Sequence, residues 1–166
     1  MNKTLYVYFL ALLAVSISCK KWRCIEGEGG ITTKDKVVSS FSQIITDDEF
    51  EVVIIEDSIT MVTLETNPNI FSYITTVVTN NKLYIEKNTK KCIRTSFPIV
   101  VYVYTPTSNI TNIELNGSGE IYTDSITTSS LSLELNGSGV IECNSADADD
   151  LYVQLDGSGD IYTNVT

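Results

Sequence analysis

One short phrase recurs at a fixed interval, and that interval limits the folds open to this chain more than any other feature. Leu115-Asn116-Gly117-Ser118-Gly119-Glu120-Ile121 returns as Leu135-Asn136-Gly137-Ser138-Gly139-Val140-Ile141, and again as Leu155-Asp156-Gly157-Ser158-Gly159-Asp160-Ile161, each copy 20 residues after the last. A strict period of this length means that one small unit is laid against copies of itself, the signature of a stacked architecture.

Aligning the copies gives every position a direction. Ile113 and Leu115, Leu131, Leu133 and Leu135, and Leu151, Val153 and Leu155 alternate with Glu114, Ser132, Glu134, Tyr152 and Gln154. Alternation of period two with a polar second face is a half-buried strand. The turn that follows is Asn116, Gly117 and Gly119 in one copy, Asn136, Gly137 and Gly139 in the next, and Asp156, Gly157 and Gly159 in the third. Its glycines permit the positive φ that a corner needs. A second short strand, Glu120 to Thr123 and its copies, leads to a polar corner at Asp124-Ser125, Asn144-Ser145 and Asn164-Val165. No stretch carries a sustained helical period.

The spacing therefore predicts an all-β parallel β-helix of 20-residue coils, right-handed by the general rule for parallel connections. Stacked strands would lie about 4.8 Å apart, with Asn116 over Asn136 sharing amide hydrogen bonds and Asp156 extending that ladder as an acceptor. Val101-Tyr102-Val103 continues the pattern one coil back, and before about residue 99 the 20-residue frame is lost. The front half, Val37 to Lys87, is still strand-rich at Val52 to Ile55, Met61 to Glu65, Ile74 to Thr79 and Lys82 to Ile85, with Asn80-Asn81 as a tight turn. These irregular N-terminal strands are expected to run on into the repeats.

Residues 1–18 stand apart. Lys3 followed by the apolar run from Leu5 to Ile17 reads as an export signal, too short for a membrane span. Ser16-Ile17-Ser18 before Cys19 offers small residues ahead of a cysteine, which makes Cys19 the candidate site of lipidation. Removing the signal leaves 10 basic side chains against 21 acidic ones, a net charge of −11. Such a surface repels phosphate backbones and anionic headgroups, which argues against nucleic acid or electrostatic membrane binding, and attachment to a membrane would come from the lipid. Export also implies an oxidising compartment, in which Cys24 and Cys92 are the pair placed for a disulfide. Cys143 falls on an inward position, where the other copies have Thr123 and Thr163.

The chain contains no histidine, which removes the commonest general base and transition-metal ligand. Calcium-binding glycine-rich rolls repeat an Asp every nine residues. Here the equivalent positions are Glu120, Val140 and Asp160 at a longer interval, so a plain turn accounts for the motif and neither metal nor cofactor is implied. Glu114 and Glu134 fall in one ladder with Gln154, and Glu142 faces the same way as the tyrosines; paired carboxylates of this kind are what a glycan-acting enzyme would use. Tyr102, Tyr122 and Tyr162 share one outward position, with Glu142 filling the gap. Such a stack is a candidate platform for a glycan or a protein partner.

A lipoprotein-type leader, the Cys24-Ile25-Glu26-Gly27-Glu28-Gly29 opening, Phe41-Ser42-Gln43-Ile44 and the repeated Leu-x-Gly-Ser-Gly-x-Ile phrase together resemble the bacterial family described as "putative auto-transporter adhesin, head GIN domain". The resemblance covers residues 24–166. It implies a β-helical, exported, commonly lipid-anchored protein of the cell envelope and outer membrane, without catalytic activity and with an adhesive or structural role. Family members run on through further coils and a closing segment, whereas this sequence stops at Thr166. An uncapped last coil is expected either to continue in a longer chain or to meet a second copy end to end.

Overall fold

The structure, a computed structural model, describes residues 24–166. The 1–18 leader and Cys19 lie outside the described residues. In chain order the strands are β1 (Ile25–Glu26), β2 (Thr32–Val37), β3 (Gln43–Asp48), β4 (Glu51–Glu56), β5 (Met61–Thr66), β6 (Ile74–Thr79), β7 (Lys82–Lys87), β8 (Ile93–Arg94), β9 (Val100–Thr105), β10 (Asn112–Gly117), β11 (Glu120–Gly137), β12 (Val140–Gly157) and β13 (Asp160–Val165). β1 and β8 form a small parallel ribbon, and the other strands make one 11-stranded sheet.

The 20-residue offset is visible in the pairing of the last strands. β10 lies parallel to β11 with Leu115 opposite Leu135, β12 follows with Leu155, and Ile121, Ile141 and Ile161 align across β11, β12 and β13. Ile113, Leu115, Leu133 and Leu135 are fully buried, as the alternation requires. Each such side chain contributes roughly 1.5–3 kcal/mol by leaving water.

The parallel β-helix expected from that period is not what the chain forms. The strands make a curled half-barrel of mixed direction: β5 runs antiparallel to both β2 and β9, and β6 antiparallel to β7. β11 and β12 are long strands of 18 residues rather than short coil segments, because the polar corners stay extended and bend without breaking the ladder. Ile121, Ile126, Leu131 and Leu135 of β11 are all buried, so one strand lines both limbs of the curl. Nor is the front half irregular. β3 to β7 and β9 are regular six-residue strands that insert themselves among the repeats. β4 lies between β9 and β11, and β3 between β10 and β7, so Asn116 pairs with Asp47 and not with a residue 20 positions earlier.

These insertions expose a concealed copy of the repeat. Asp48 is paired with Gly117 and takes its left-handed turn at φ 75, a conformation open to Asp at some cost. Phe50 occupies the place of the second glycine, and Glu51-Val52 pair with Glu120-Ile121. Ser118 and Gly119 both donate their amides to the Asp48 carbonyl, while Ser138 donates to Gly117 and Ser158 to Gly137. The asparagine ladder likewise runs toward the front. Asn136 donates to Asn116 at 2.9 Å and Asn116 to Asp47 at 3.1 Å, whereas Asp156 accepts from Gln154 at 2.6 Å. The expected Asn80-Asn81 turn joins β6 to β7, both residues having positive φ (51 and 64).

The edge at β2 and the edge at β12 and β13 are treated differently. On edge strand β2, Lys34 and Lys36 sit opposite Leu64 and Val62. Lys36 reaches across to donate to the Thr76 carbonyl of β6, and the Lys34 ammonium lies 5.9 Å from the Phe71 ring centre. Their stems cover core surface while the charges stay near water, a common defence of a sheet edge. At the opposite edge Val153 and Leu155 are 47% and 46% exposed, and Leu151 and Ile161 are only partly covered.

Candidate binding face

The outward side of one limb is built from β5, β9, β4, the first part of β11, the first part of β12, and β13. Because Val101, Val52, Ile121 and Ile141 point into the core, the next residue on each strand must point out. Tyr102, Val53, Tyr122, Glu142 and Tyr162 thereby form one row in register. This differs from the expected platform in one respect. Val53 stands between Tyr102 and Tyr122, as Glu142 stands between Tyr122 and Tyr162. Successive tyrosines are two strand spacings apart, about 9–10 Å, too far for their rings to stack on one another.

A second row, Val100, Glu51, Glu120, Val140 and Asp160, runs beside the first. With Glu65 of β5 and Asp124 of β11 the limb is rich in carboxylate, and none of its six strands carries a lysine or arginine. The phenols feel this charge. Burial, then the carboxylates of Glu65 and Glu51, hold the Tyr102 pKa above its ordinary 10.0. Tyr122 is also raised, first because its hydroxyl donates to Asp124 at 2.5 Å; Asn144 donates back to Tyr122 at 2.8 Å, a smaller opposing effect. Both hydroxyls therefore remain neutral donors throughout the physiological range.

A cleft of about 560 Å³ opens at the end of this face where β4 and β11 begin. Glu49, Glu51, Gly119 and Glu120 form one wall, and Arg94 of β8 and Phe97 of the loop before β9 form the other. Phe97 is 62% exposed, and Arg94 is paired to Glu26 at 3.0 Å. Sequence reading missed this cleft because residues 88–99 replace the Asn-Gly-Ser-Gly turn with unrelated sequence. The one available signal was an aromatic followed by proline, Phe97-Pro98, in a loop.

The other sequence candidates fall elsewhere. Glu114 and Glu134 pair across β10 and β11 on the opposite limb, where Asn116 donates to Glu114 at 2.8 Å and Ser132 to Glu134 at 2.9 Å. Those carboxylates serve the side-chain ladder and line none of the clefts described. Cys24 and Cys92 are joined, with Cα atoms 4.6 Å apart. Cys143 is a free buried thiol whose pKa is raised, chiefly by burial. Among the described residues no three His, Cys, Asp or Glu side chains gather as metal ligands would.

A profile of the family described as putative auto-transporter adhesin, head GIN domain matches residues 40–166. No curated protein matches the sequence. Among solved structures, a putative adhesin from Bacteroides fragilis aligns over 84% of this chain and 100% of its own, with a TM-score of 0.61 at 15% identity. A putative lipid binding protein from Parabacteroides distasonis aligns over 87% of this chain and 62% of its own, with a TM-score of 0.70 at 17% identity. A putative adhesin from Parabacteroides merdae covers 84% and 58%, with a TM-score of 0.66 at 15% identity. At these identities the likeness is one of fold, and the chain spans about three fifths of the latter two proteins.

Proposed function

The chain belongs to the auto-transporter adhesin, head GIN domain family, and on that premise we propose that it is an exported, non-catalytic protein that binds a glycan or protein partner through the outward face bearing Tyr102, Tyr122, Glu142 and Tyr162. The observation that carries this reading is the row itself: tyrosines on every second strand, Val53 and Glu142 between them, carboxylates in the row beside them, and no cation on the same strands. Neutral phenols offer flat apolar area and a hydrogen bond at low entropic cost. The carboxylates favour partners rich in amines, guanidinium groups or hydroxyls and discourage acidic ones.

Replacing Tyr102, Tyr122 and Tyr162 together by Ser should abolish binding on an array of glycans and matrix proteins probed with residues 20–166. The far-UV β-sheet signal should survive, because all three side chains lie outside the core. Binding that persists in the folded triple variant would overturn the assignment. Cleavage of an arrayed glycan would instead favour a glycan-acting enzyme, and a silent array an envelope scaffold.

For attachment, we propose acylation at Cys19 and residence on the outer membrane. Cys19→Ala should then yield a soluble or unprocessed protein. Partition of the variant into detergent, with normal processing, would dismiss the anchor.

A further inference from the structure

The curl brings β2 and β6 toward each other without joining them. β2 is paired only with β5 and β6 only with β7, so each keeps one free backbone edge. Side chains, not a ladder, span the seam between them. Lys36 of β2 donates to the Thr76 carbonyl of β6, and Lys34 lies over Phe71 in the helical turn Phe71–Tyr73 that leads into β6. Beneath the two lysines is a slot of about 310 Å³, with Val62 and Leu64 of β5 and with Phe71 and Ile74 among its walls. Apolar walls with a few polar groups at the mouth are the usual make-up of a small-molecule pocket.

The charge at this mouth is unbalanced. Lys34 and Lys36 stand two residues apart on one face of β2, opposite Leu64 and Val62, and so point the same way. Asp35, the one acid among the lining residues, is on the other face of the strand and accepts from the Thr63 hydroxyl at 2.8 Å. Among the described residues the ion pairs are Lys87 with Asp48 and Arg94 with Glu26, so neither Lys34 nor Lys36 has a carboxylate within ion-pair reach. This holds although the chain left after signal removal has 21 acidic side chains for 10 basic ones. A carbonyl and an aromatic ring attract a cation without neutralising it. Protection of the edge accounts for a charge on β2, but not for the apolar slot beneath it.

We propose that the seam is a binding site for a fatty acid, with the hydrocarbon chain in the slot and the carboxylate held by Lys34 and Lys36. The two cations select an anionic head, and Val62, Leu64, Phe71 and Ile74 select an apolar tail. An ammonium has three donors, so Lys36 keeps the Thr76 carbonyl and still takes the carboxylate. The bonds it adds are charge-assisted on both sides, the stronger kind. The site lies on β2, β5 and β6, away from the tyrosine row, and is independent of what that row binds.

The test is calorimetric titration of the unacylated chain from Lys20 onward, so that no attached acyl group competes for the slot. Affinity should rise about fourfold for each methylene added between butyrate and decanoate and level off once the slot is full. Lys34→Gln/Lys36→Gln should lower decanoate affinity at least about tenfold, as the loss of hydrogen bonds to a charged group implies, and leave the weaker binding of decanol unchanged. Both side chains are exposed, so the far-UV spectrum should not change. Lys82→Gln/Lys91→Gln removes as much charge outside the slot and should bind decanoate like the parent. Acetate binding as tightly as decanoate, an unchanged affinity for Lys34→Gln/Lys36→Gln, or an equal loss in Lys82→Gln/Lys91→Gln would overturn the proposal. So would binding of an oligoglutamate peptide with none of decanoate, which would make the seam a peptide groove.

Discussion

Gly137→Ala is expected to cost the sheet a large share of its stability. Gly137 has φ +149, and a Cβ there would sit 2.1 Å from the Gly117 carbonyl oxygen, the acceptor of the Ser138 amide. The row is hemmed in on both sides, by Gly117 below and Gly157 above. The methyl group can be admitted only by opening the ladder or twisting the turn. Backbone strain of about 1–3 kcal/mol and overpacking of about 1–3 kcal/mol combine to a loss of about 2–6 kcal/mol. A domain has only about 5–15 kcal/mol to lose. Gly157→Ala meets the same obstacle, 2.0 Å from the Gly137 oxygen, but its row lies at the free edge and can move away. Its cost should be smaller. Urea midpoints of the two variants and the parent decide the matter; a Gly137→Ala midpoint equal to that of the parent would contradict the close-approach account.

The second large effect is expected from Cys24→Ser/Cys92→Ser. The bond spans 68 residues of sequence, and closing a loop of that length in the unfolded chain is worth about 4 kcal/mol in the chain-entropy description. The melting temperature should fall by about 8–16 °C for a domain of this size, while the main sheet remains, since neither cysteine belongs to it. Reductant should lower the melting temperature of the parent and leave the double variant unaffected, because Cys143 is buried and unpaired. Equal melting temperatures for parent and double variant would mean that β1 and β8 hold without their bond.

How far the residues disclosed this arrangement depends on where the repeat kept its glycines. From Asn112 onward the Asn-Gly-Ser-Gly turns are intact, and alternation alone assigns Leu133, Leu135 and Ile141 to the core and Tyr122, Glu142 and Tyr162 to one outward row. In the front half the same turn is written Asp47-Asp48-Glu49-Phe50. A left-handed Asp replaces one glycine and a buried Phe the other, so the local chemistry of the motif is erased while its backbone path survives. That substitution concealed the place of β4 between β9 and β11, and with it Val53 between Tyr102 and Tyr122. The antiparallel partner of β9 was hidden for another reason. Pairing direction is set by which edges remain open after the long-range contacts form, and strands such as Met61 to Thr66 carry no local mark of it. The half-barrel was therefore beyond a reading that could see only the period. Arg94 of β8 and Phe97 just after it belong to a segment whose position is fixed by the bond of Cys92 to Cys24, far away in sequence.

That bond also decides where a pull on the N-terminus is felt. Without it, tension entering at Cys24 would travel along the chain into β2, an edge strand held on one side only, and peel the sheet open one hydrogen bond at a time. With it, the load crosses directly to Cys92 and passes through the loop into β9, which is paired on both sides, to β4 and to β5. Drawing an interior strand lengthwise means breaking two ladders together. The disulfide thus converts an unzipping geometry into a shearing one, and the body resists traction at the strongest part of its weave.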